Sequence, residues 1–240
     1  MTDSVLQIPA SLREIAGQPE SWQLNQVGES GARVYYLPQL NAWLKCAPSG
    51  LRAEADALCY LQGCVTVPCL LQYLETDHGQ YLLTQSLPGT PLCAAEILAN
   101  PNELIRILAA ALRELHALDV QSCPLDQRLP VKLRAWPFTP VEYTWLAQDP
   151  PPEDLVMTHG DACLPNFLCE SGRYTGCLDL GDAGVADRWQ DLALSLWSLH
   201  YNLGTTAWGL PFLDAYGIAP DNRKIEYYLR LNRMGTCHVI

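Results

Sequence analysis

Between residues 155 and 180 short apolar runs alternate with turn formers too quickly for any helix. Leu155-Val156-Met157-Thr158 reads as a short buried strand, Phe167-Leu168-Cys169 as a second, and residues 174–180 as a third after a turn at Glu170-Ser171-Gly172-Arg173. The loop after the first strand, HGDACLPN, carries Asp161 and, five residues later, Asn166. Asp179 follows 13 residues after Asn166, in LDLG, at the end of the third strand and facing that loop. A loop rich in turn formers would share the composition, and HGD alone would be weak evidence. The full set has a chemical meaning. Phosphoryl transfer needs an Asp to orient the attacking hydroxyl, an Asn on a metal five residues later, and an Asp-x-Gly carboxylate linking that metal to the phosphates.

The whole chain, at 240 residues, is long enough to bury a large core as one domain or as two closely packed lobes. No apolar run approaches the roughly 20 residues of a membrane-spanning helix. The first residues lack the basic-then-apolar order of a signal peptide, so a cytoplasmic protein without a membrane partner is expected. The net charge of −11 argues against a nucleic-acid partner and suits a cationic small molecule, although an acidic surface also serves solubility. Ten cysteines are scattered through apolar segments without any CxxC pair, and read as small buried hydrophobes rather than metal ligands.

From the start, residues 1–20 suggest a capping turn or short helix with Leu12 and Ile15 inward. Residues 22–27, 32–37 and 41–46 alternate as strands of an antiparallel sheet. Gly28-Glu29-Ser30-Gly31 lies between the first two. Such a loop can lay its N–H groups over phosphates, and an ordinary hairpin turn would look the same. Lys45, near the end of the third strand, can reach phosphates if a carboxylate holds it. Glu54, on a helix expected over Leu51–Leu61, is the candidate. Trp43 lies two residues before Lys45, so it shares that face of the sheet. Two more strands, 69–74 and 81–84, precede a Pro-Gly turn at Pro88-Gly89, which marks a boundary.

The second part opens on a helix with Asn100 as N-cap, Pro101 at N1 and Glu103 at N3. Its apolar stripe is Leu104, Ile107, Leu108, Ala111, Leu112 and Leu115. His116 closes it in a structural role, with loop backbone as the expected partner. Residues 122–153 carry seven prolines, which prevent a long helix; a short one is expected at 141–147. A helix over 186–203 with Asp187 as N-cap follows. Its Asp191 is expected to support the loop of Asp161. Helices near 208–216 and 221–234 complete the chain.

HGDACLPN and LDLGDAGVADRWQDLAL resemble the aminoglycoside 3'-phosphotransferases, small-molecule kinases. HGD with Asn five residues on is shared by a wider group that includes choline kinases; ACLP and GVADRWQDLAL are narrower. The resemblance covers nearly the whole chain. It implies an α+β, protein-kinase-like two-lobe fold: residues 1–86 an antiparallel sheet with one helix for the nucleotide, residues 87–240 mainly helical, with the catalytic loop. It implies ATP or GTP with Mg²⁺, Asp161 as the catalytic residue, and Asn166 and Asp179 as metal ligands. It further implies Ser30 on a phosphate, Trp43 stacked on the base, Lys45 held by Glu54, and backbone groups of Gln85 and Leu87 on the base edge. The acceptor it implies is a cationic aminosugar antibiotic.

Two departures stand out. The resembling enzymes carry a longer helical insertion where this chain has 122–153. They also place acidic residues on the late helices and at the C-terminus, where this chain has Tyr201, Asn202, Asn232, Arg233 and the ending RMGTCHVI. These leave open a same-fold kinase of another small alcohol or sugar, or an inactive nucleotide-binding homologue. Against inactivity, Lys45, Glu54, Asp161, Asn166 and Asp179 are all present.

Overall fold

In the computed structural model, residues 8–17, 21–25 and 32–235 are described here. The alternating segments of the first part pair as expected. Helix α1 (Ala10–Ala16) precedes β1 (Gln23–Asn25), β2 (Arg33–Leu37) and β3 (Ala42–Ala47). Helix α2 (Leu51–Leu61), β4 (Leu70–Thr76) and β5 (Gly79–Gln85) complete an antiparallel sheet in the order β1-β2-β3-β5-β4. Alternation along β3 sends Ala42, Leu44 and Cys46 into a small core with Leu12, Ala16, Tyr81 and Leu83. Trp43 and Lys45 face the other way, towards α2. Ile15, expected inward, is 47% exposed, and Ala16 takes the inward place. With only two turns, α1 has room for a single inward stripe, and Leu12 with Ala16 at i, i+4 forms it.

The chain then crosses through the short strand β6 (Thr90–Pro91) and helix α3 (Ala95–Leu98) into α4 (Pro101–His116). Asn100 caps α4 as expected, its side chain accepting the Glu103 N–H at 3.4 Å, and the apolar stripe is buried along its whole length. The proline-rich segment holds two helices where one was expected: α5 (Leu129–Ala135) and α6 (Pro140–Gln148). Proline stands in the first turn of each, where its missing N–H would have had no helical partner anyway. Thr139 and Glu142 close a reciprocal capping box on α6.

Strand β7 (Leu155–Thr158) leads into the catalytic loop, and β8 (Phe167–Glu170) and β9 (Arg173–Cys177) form the hairpin after it. Residues 184–187 were expected to open a helix only from 186. They form a strand, β10 (Gly184–Asp187), antiparallel to β7, because their backbone completes the one-sided ladder of that strand. Helices α7 (Arg188–Leu203), α8 (Gly209–Tyr216) and α9 (Asn222–Gly235) follow, α7 capped by Asp187. The principal core runs without a break from α2 and Leu82 of the sheet to α4, α7 and α9. That shared core holds the sheet and the catalytic loop in one register. The architecture is α+β and protein-kinase-like, as expected. No described helix is long and apolar enough to cross a membrane. Cys46, Cys169 and Cys177 are buried as expected, whereas Cys59 and Cys64 are exposed; both lie on the outward side of α2 or in the turn after it.

Candidate active site

The loop that carries Asp161 is built from β7 outwards. Thr158 is pinned by its hydroxyl, which donates to the Gly184 carbonyl at 2.8 Å. His159, fully buried, accepts the Asp161 N–H at Nδ1 (3.3 Å) and meets the Leu178 carbonyl at Nε2 (2.9 Å). The contact with the carbonyl requires a hydrogen on Nε2. A single 3₁₀ turn at Leu164–Asn166 then brings Asn166 back onto Asp161. The Asn166 amide donates to the Asp161 carbonyl at 2.9 Å and to its carboxylate at 2.8 Å. The Leu178 N–H donates to the Asn166 carbonyl at 2.8 Å. Asp179 therefore arrives beside the pair. Strand β9 stops at Cys177, three residues before the strand end expected from the sequence. Asp179 itself takes a left-handed conformation, φ 60°, which turns its carboxylate out of the ladder.

The sheet contributes a cation to the same place. Lys45 Nζ donates to both Glu54 oxygens at 2.8 and 2.9 Å and to Asp179 Oδ1 at 2.8 Å. Burial works against the Lys45 charge, yet Glu54 and then Asp179 more than offset it and its pKa is raised. Five of the residues singled out in the sequence are thus brought together: Lys45, Glu54, Asp161, Asn166 and Asp179.

The base-side candidates take separate places. Trp43 packs at 4.9 Å centroid distance from Tyr36, and its indole N–H donates to the Ser86 hydroxyl at 3.2 Å. A cleft of about 400 Å³ opens there, lined by Gln23, Leu24, Asn25, Tyr36, Trp43 and Ser86. The Gln85 N–H is spent on the Cys69 carbonyl at 2.9 Å, while the Leu87 N–H enters no backbone hydrogen bond among the described residues. Ser30, with the whole Gly28-Glu29-Ser30-Gly31 loop, lies outside the described residues.

A sequence profile of the phosphotransferase enzyme family matches residues 26–228. An aminoglycoside 3'-phosphotransferase of Niallia circulans is 35% identical, over 97% of this chain and 99% of its own. The chain belongs to the aminoglycoside 3'-phosphotransferase family. A streptomycin 3''-kinase of Streptomyces griseus is 31% identical over 91% of this chain and 94% of its own. The crystal structure of an aminoglycoside-3'-phosphotransferase of type VIII superposes with a TM-score of 0.79 at 26% identity, covering 93% of this chain and 97% of that one.

In this phosphotransferase Asp191 is the buried anchor of the catalytic loop. Its carboxylate accepts the His159 N–H at 2.6 Å and the Gly160 N–H at 2.9 Å. His116 Nε2 lies 3.1 Å from it, and His116 Nδ1 lies 2.7 Å from the Tyr216 hydroxyl. The expectation for His116 is thereby corrected: it meets a carboxylate and a phenol, not loop backbone, because α7 and α8 both pack on α4 there. Arg188, paired with Asp154, donates to the same phenol at 3.0 Å. Nothing local in the sequence announces this chain of contacts, which joins residues up to 100 positions apart.

Burial would raise the Asp191 pKa, but His116 first, then His159 and its N–H, hold it below the ordinary value. A depressed carboxyl stabilises the fold above the unfolded value of about 3.9, and that contribution is lost as pH falls through the folded value. Asp191→Asn keeps the shape but turns an NH₂ group towards N–H donors, at a cost of about 1–3 kcal/mol at pH 7. Denaturant titrations should show the gap between wild type and variant narrowing on acidification below about pH 4. A gap that stays constant would mean that Asp191 is not ionised in the folded protein.

The late-helix departures occupy varied settings. Tyr201 is 71% exposed and stacks on Trp197, while the Asn202 amide is used on the Ser198 carbonyl. Asn232 is buried. Two charged residues carry no local signal in the sequence: Lys132, buried in α5, and Asp182, whose main chain lies against Gly160. Lys132 lies in the proline-rich segment 122–153, and Asp182 in GDAG.

Proposed function

We propose that the protein transfers the γ-phosphate of ATP, or GTP, to the 3'-hydroxyl of a cationic aminoglycoside, and so confers resistance to it in the cytoplasm. The supporting observation is the junction at Lys45. One ammonium joins Glu54 of α2 to Asp179, 134 positions from Lys45, beside the Asp161–Asn166 pair. In this reading residues 1–86 carry the nucleotide and residues 87–240 the acceptor and the catalytic loop. Lys45, held by Glu54, positions the α- and β-phosphates. Trp43 stacks on the base, Leu87 N–H and Gln85 backbone meet its edge, and Ser30 contacts a phosphate. Asp161 orients the acceptor hydroxyl and takes its proton as the oxygen attacks phosphorus. The residues fit Mg²⁺: the Asn166 amide spends its N–H on Asp161, leaving its oxygen, and Asp179 spends one oxygen on Lys45. Two hard protein oxygens suit a small cation that completes its shell with phosphates and water. When bound, it neutralises charge on the transferring phosphate. Little covalent chemistry is asked of the protein; positioning dominates.

A second reading, a same-fold kinase of another small alcohol, draws support from the neutral Tyr201 and Asn202 where acids were expected. ADP release with Mg²⁺-ATP, measured against kanamycin, neomycin and unrelated small alcohols, separates the two. Turnover with kanamycin that vanishes in Asp161→Ala is the expected result. Turnover with an unrelated alcohol and none with any aminoglycoside would favour the second reading.

A further inference from the structure

Two serines stand in the apolar run LALSLWSL of α7, Ser195 and Ser198. Both are enclosed, at 0% and 1% exposure. A hydroxyl in such a place costs desolvation unless a partner takes it, and alanine would fill nearly the same volume with better helix propensity. Each hydroxyl has its partner outside its own helix. Ser195 Oγ donates to the Ala162 carbonyl at 2.9 Å, and Ser198 Oγ accepts the Leu164 N–H at 3.0 Å. With Asp191, the serines occupy i, i+4 and i+7 of α7, which is one stripe of a helix. The Asp191 carboxylate already holds the N–H groups of His159 and Gly160. The stripe therefore meets the Asp161 loop at 159, 160, 162 and 164, in chain order on both sides.

The two serines hold successive peptide groups, and each of those groups is bonded again at its other end. The peptide joining Ala162 to Cys163 gives its oxygen to Ser195 and its N–H to the Asp161 carbonyl, at 2.8 Å. The peptide joining Cys163 to Leu164 gives its N–H to Ser198, and its oxygen accepts the Asn166 N–H at 3.0 Å. A peptide group is planar, so fixing one end fixes the direction of the other. One serine thus acts on the main chain of Asp161 and the other on that of Asn166. Burial alternates to match. Ala162 and Leu164 are enclosed, while Asp161 and Cys163 are partly exposed on the other side of the loop.

We propose that Ser195 and Ser198 are positioning residues for phosphoryl transfer: they fix the two peptide groups through which Asp161 and Asn166 are held against each other. The inference rests on the role given above to Asp161, and it holds for any acceptor hydroxyl. Asp191 anchors the start of the loop, and the serines carry the same template on to the stretch between Asp161 and Asn166. Loss of either hydroxyl leaves one peptide group free to turn, and the carboxylate that must meet the acceptor turns with it.

Steady-state ADP release with Mg²⁺-ATP and kanamycin, or the alcohol found to be turned over, tests it well below the melting temperature. The variants are Ser195→Ala, Ser198→Ala, Ser195→Thr and Ser198→Thr. Asn100→Ala is the control for lost stability alone, since it uncaps α4 at the opposite end from His116. In each alanine variant kcat should fall about tenfold or more, because a small misplacement of a reacting group costs up to about 10²-fold. The ATP KM and the affinity for a non-hydrolysable ATP analogue should stay close to wild type, since Lys45, Glu54 and Asp179 are untouched. Asn100→Ala should melt lower and keep its kcat. The threonine variants keep the hydroxyl while overfilling a closed site, so they should run faster than the alanine variants even where they melt lower. Alanine variants that melt lower yet keep the wild-type kcat would overturn the inference, and so would folded threonine variants no faster than the alanine ones. Slow turnover in Asp161→Ala beside full turnover in the serine variants would overturn this inference alone. Wild-type turnover in Asp161→Ala would overturn the role of Asp161 and this inference with it.

Discussion

Asp161→Ala should abolish useful turnover while nucleotide binding survives, with an expected fall in kcat of about 10²–10⁴-fold, the usual worth of a positioned proton acceptor. The structure says why the two effects separate. The Asn166 amide is held twice, by the Asp161 carboxylate at 2.8 Å and by the Asp161 main-chain carbonyl at 2.9 Å. Truncation removes only the first. Asn166 stays in place, the Leu178 N–H still meets its carbonyl, and Asp179 and Lys45 keep their contact. The groups proposed to hold the nucleotide and its metal are therefore left standing around a missing base. ADP release at saturating ATP, set beside calorimetric titration with a non-hydrolysable ATP analogue, checks both halves. Wild-type turnover in the variant would remove Asp161 from its role. Lost nucleotide affinity would show that the carboxylate, not the backbone bond, keeps Asn166 in place.

Gly160→Ala should be among the most damaging glycine substitutions of the described residues. Gly160 has φ +87°, a conformation that L side chains rarely adopt, and its new Cβ would lie 2.1 Å from the Asp182 carbonyl oxygen and 2.5 Å from its carbonyl carbon. Both obstacles are backbone, so no side chain can swing aside. One of the two segments must move, and they carry Asp161 on one side and Asp179 on the other. Neither is free to do so, since the Gly160 N–H is held by buried Asp191 at 2.9 Å. Overpacking and strained backbone each cost about 1–3 kcal/mol, a large share of a typical stability of about 5–15 kcal/mol. A melting temperature lower by about 5–20 °C is expected, with turnover lost even below it. Gly204→Ala is the comparison: Gly204 has φ +67° but nothing within 4 Å of a Cβ, so only the backbone strain applies, about 1 kcal/mol. Equal losses in the two variants would show that the contact with Asp182 has no consequence.

Those expectations depend on features of unequal visibility in the chain. Helix α2 runs over the residues its periodicity marks out, and α4 begins at Asn100-Pro101 because capping is a matter of neighbouring atoms. The proximity of Asp161 and Asn166 was also local: five residues and one 3₁₀ turn separate them. The Lys45–Glu54 pair followed from strand and helix geometry nine residues apart, and from the chemistry that a phosphate-binding lysine requires. Residues 122–153 were harder to read. Seven prolines argue against a long helix, yet Pro130 and Pro140 start short ones, a distinction that depends on where each helix begins.

By itself, then, the sequence determined most of the elements, the caps of α4 and α7, and a loop at Asp161–Asn166 whose polar groups lie within one turn of each other. Each of these is set by forces that act over a few residues. Tertiary structure alone decided that Asp191 reaches back to the N–H groups of His159 and Gly160, that His116 joins it to Tyr216, that the main chain of Asp182 lies against Gly160, and that Lys132 of α5 is buried. Those partners come from α4, α5, α7 and α8. Burial and charge pairing depend on which elements pack together, and no short stretch of chain records that.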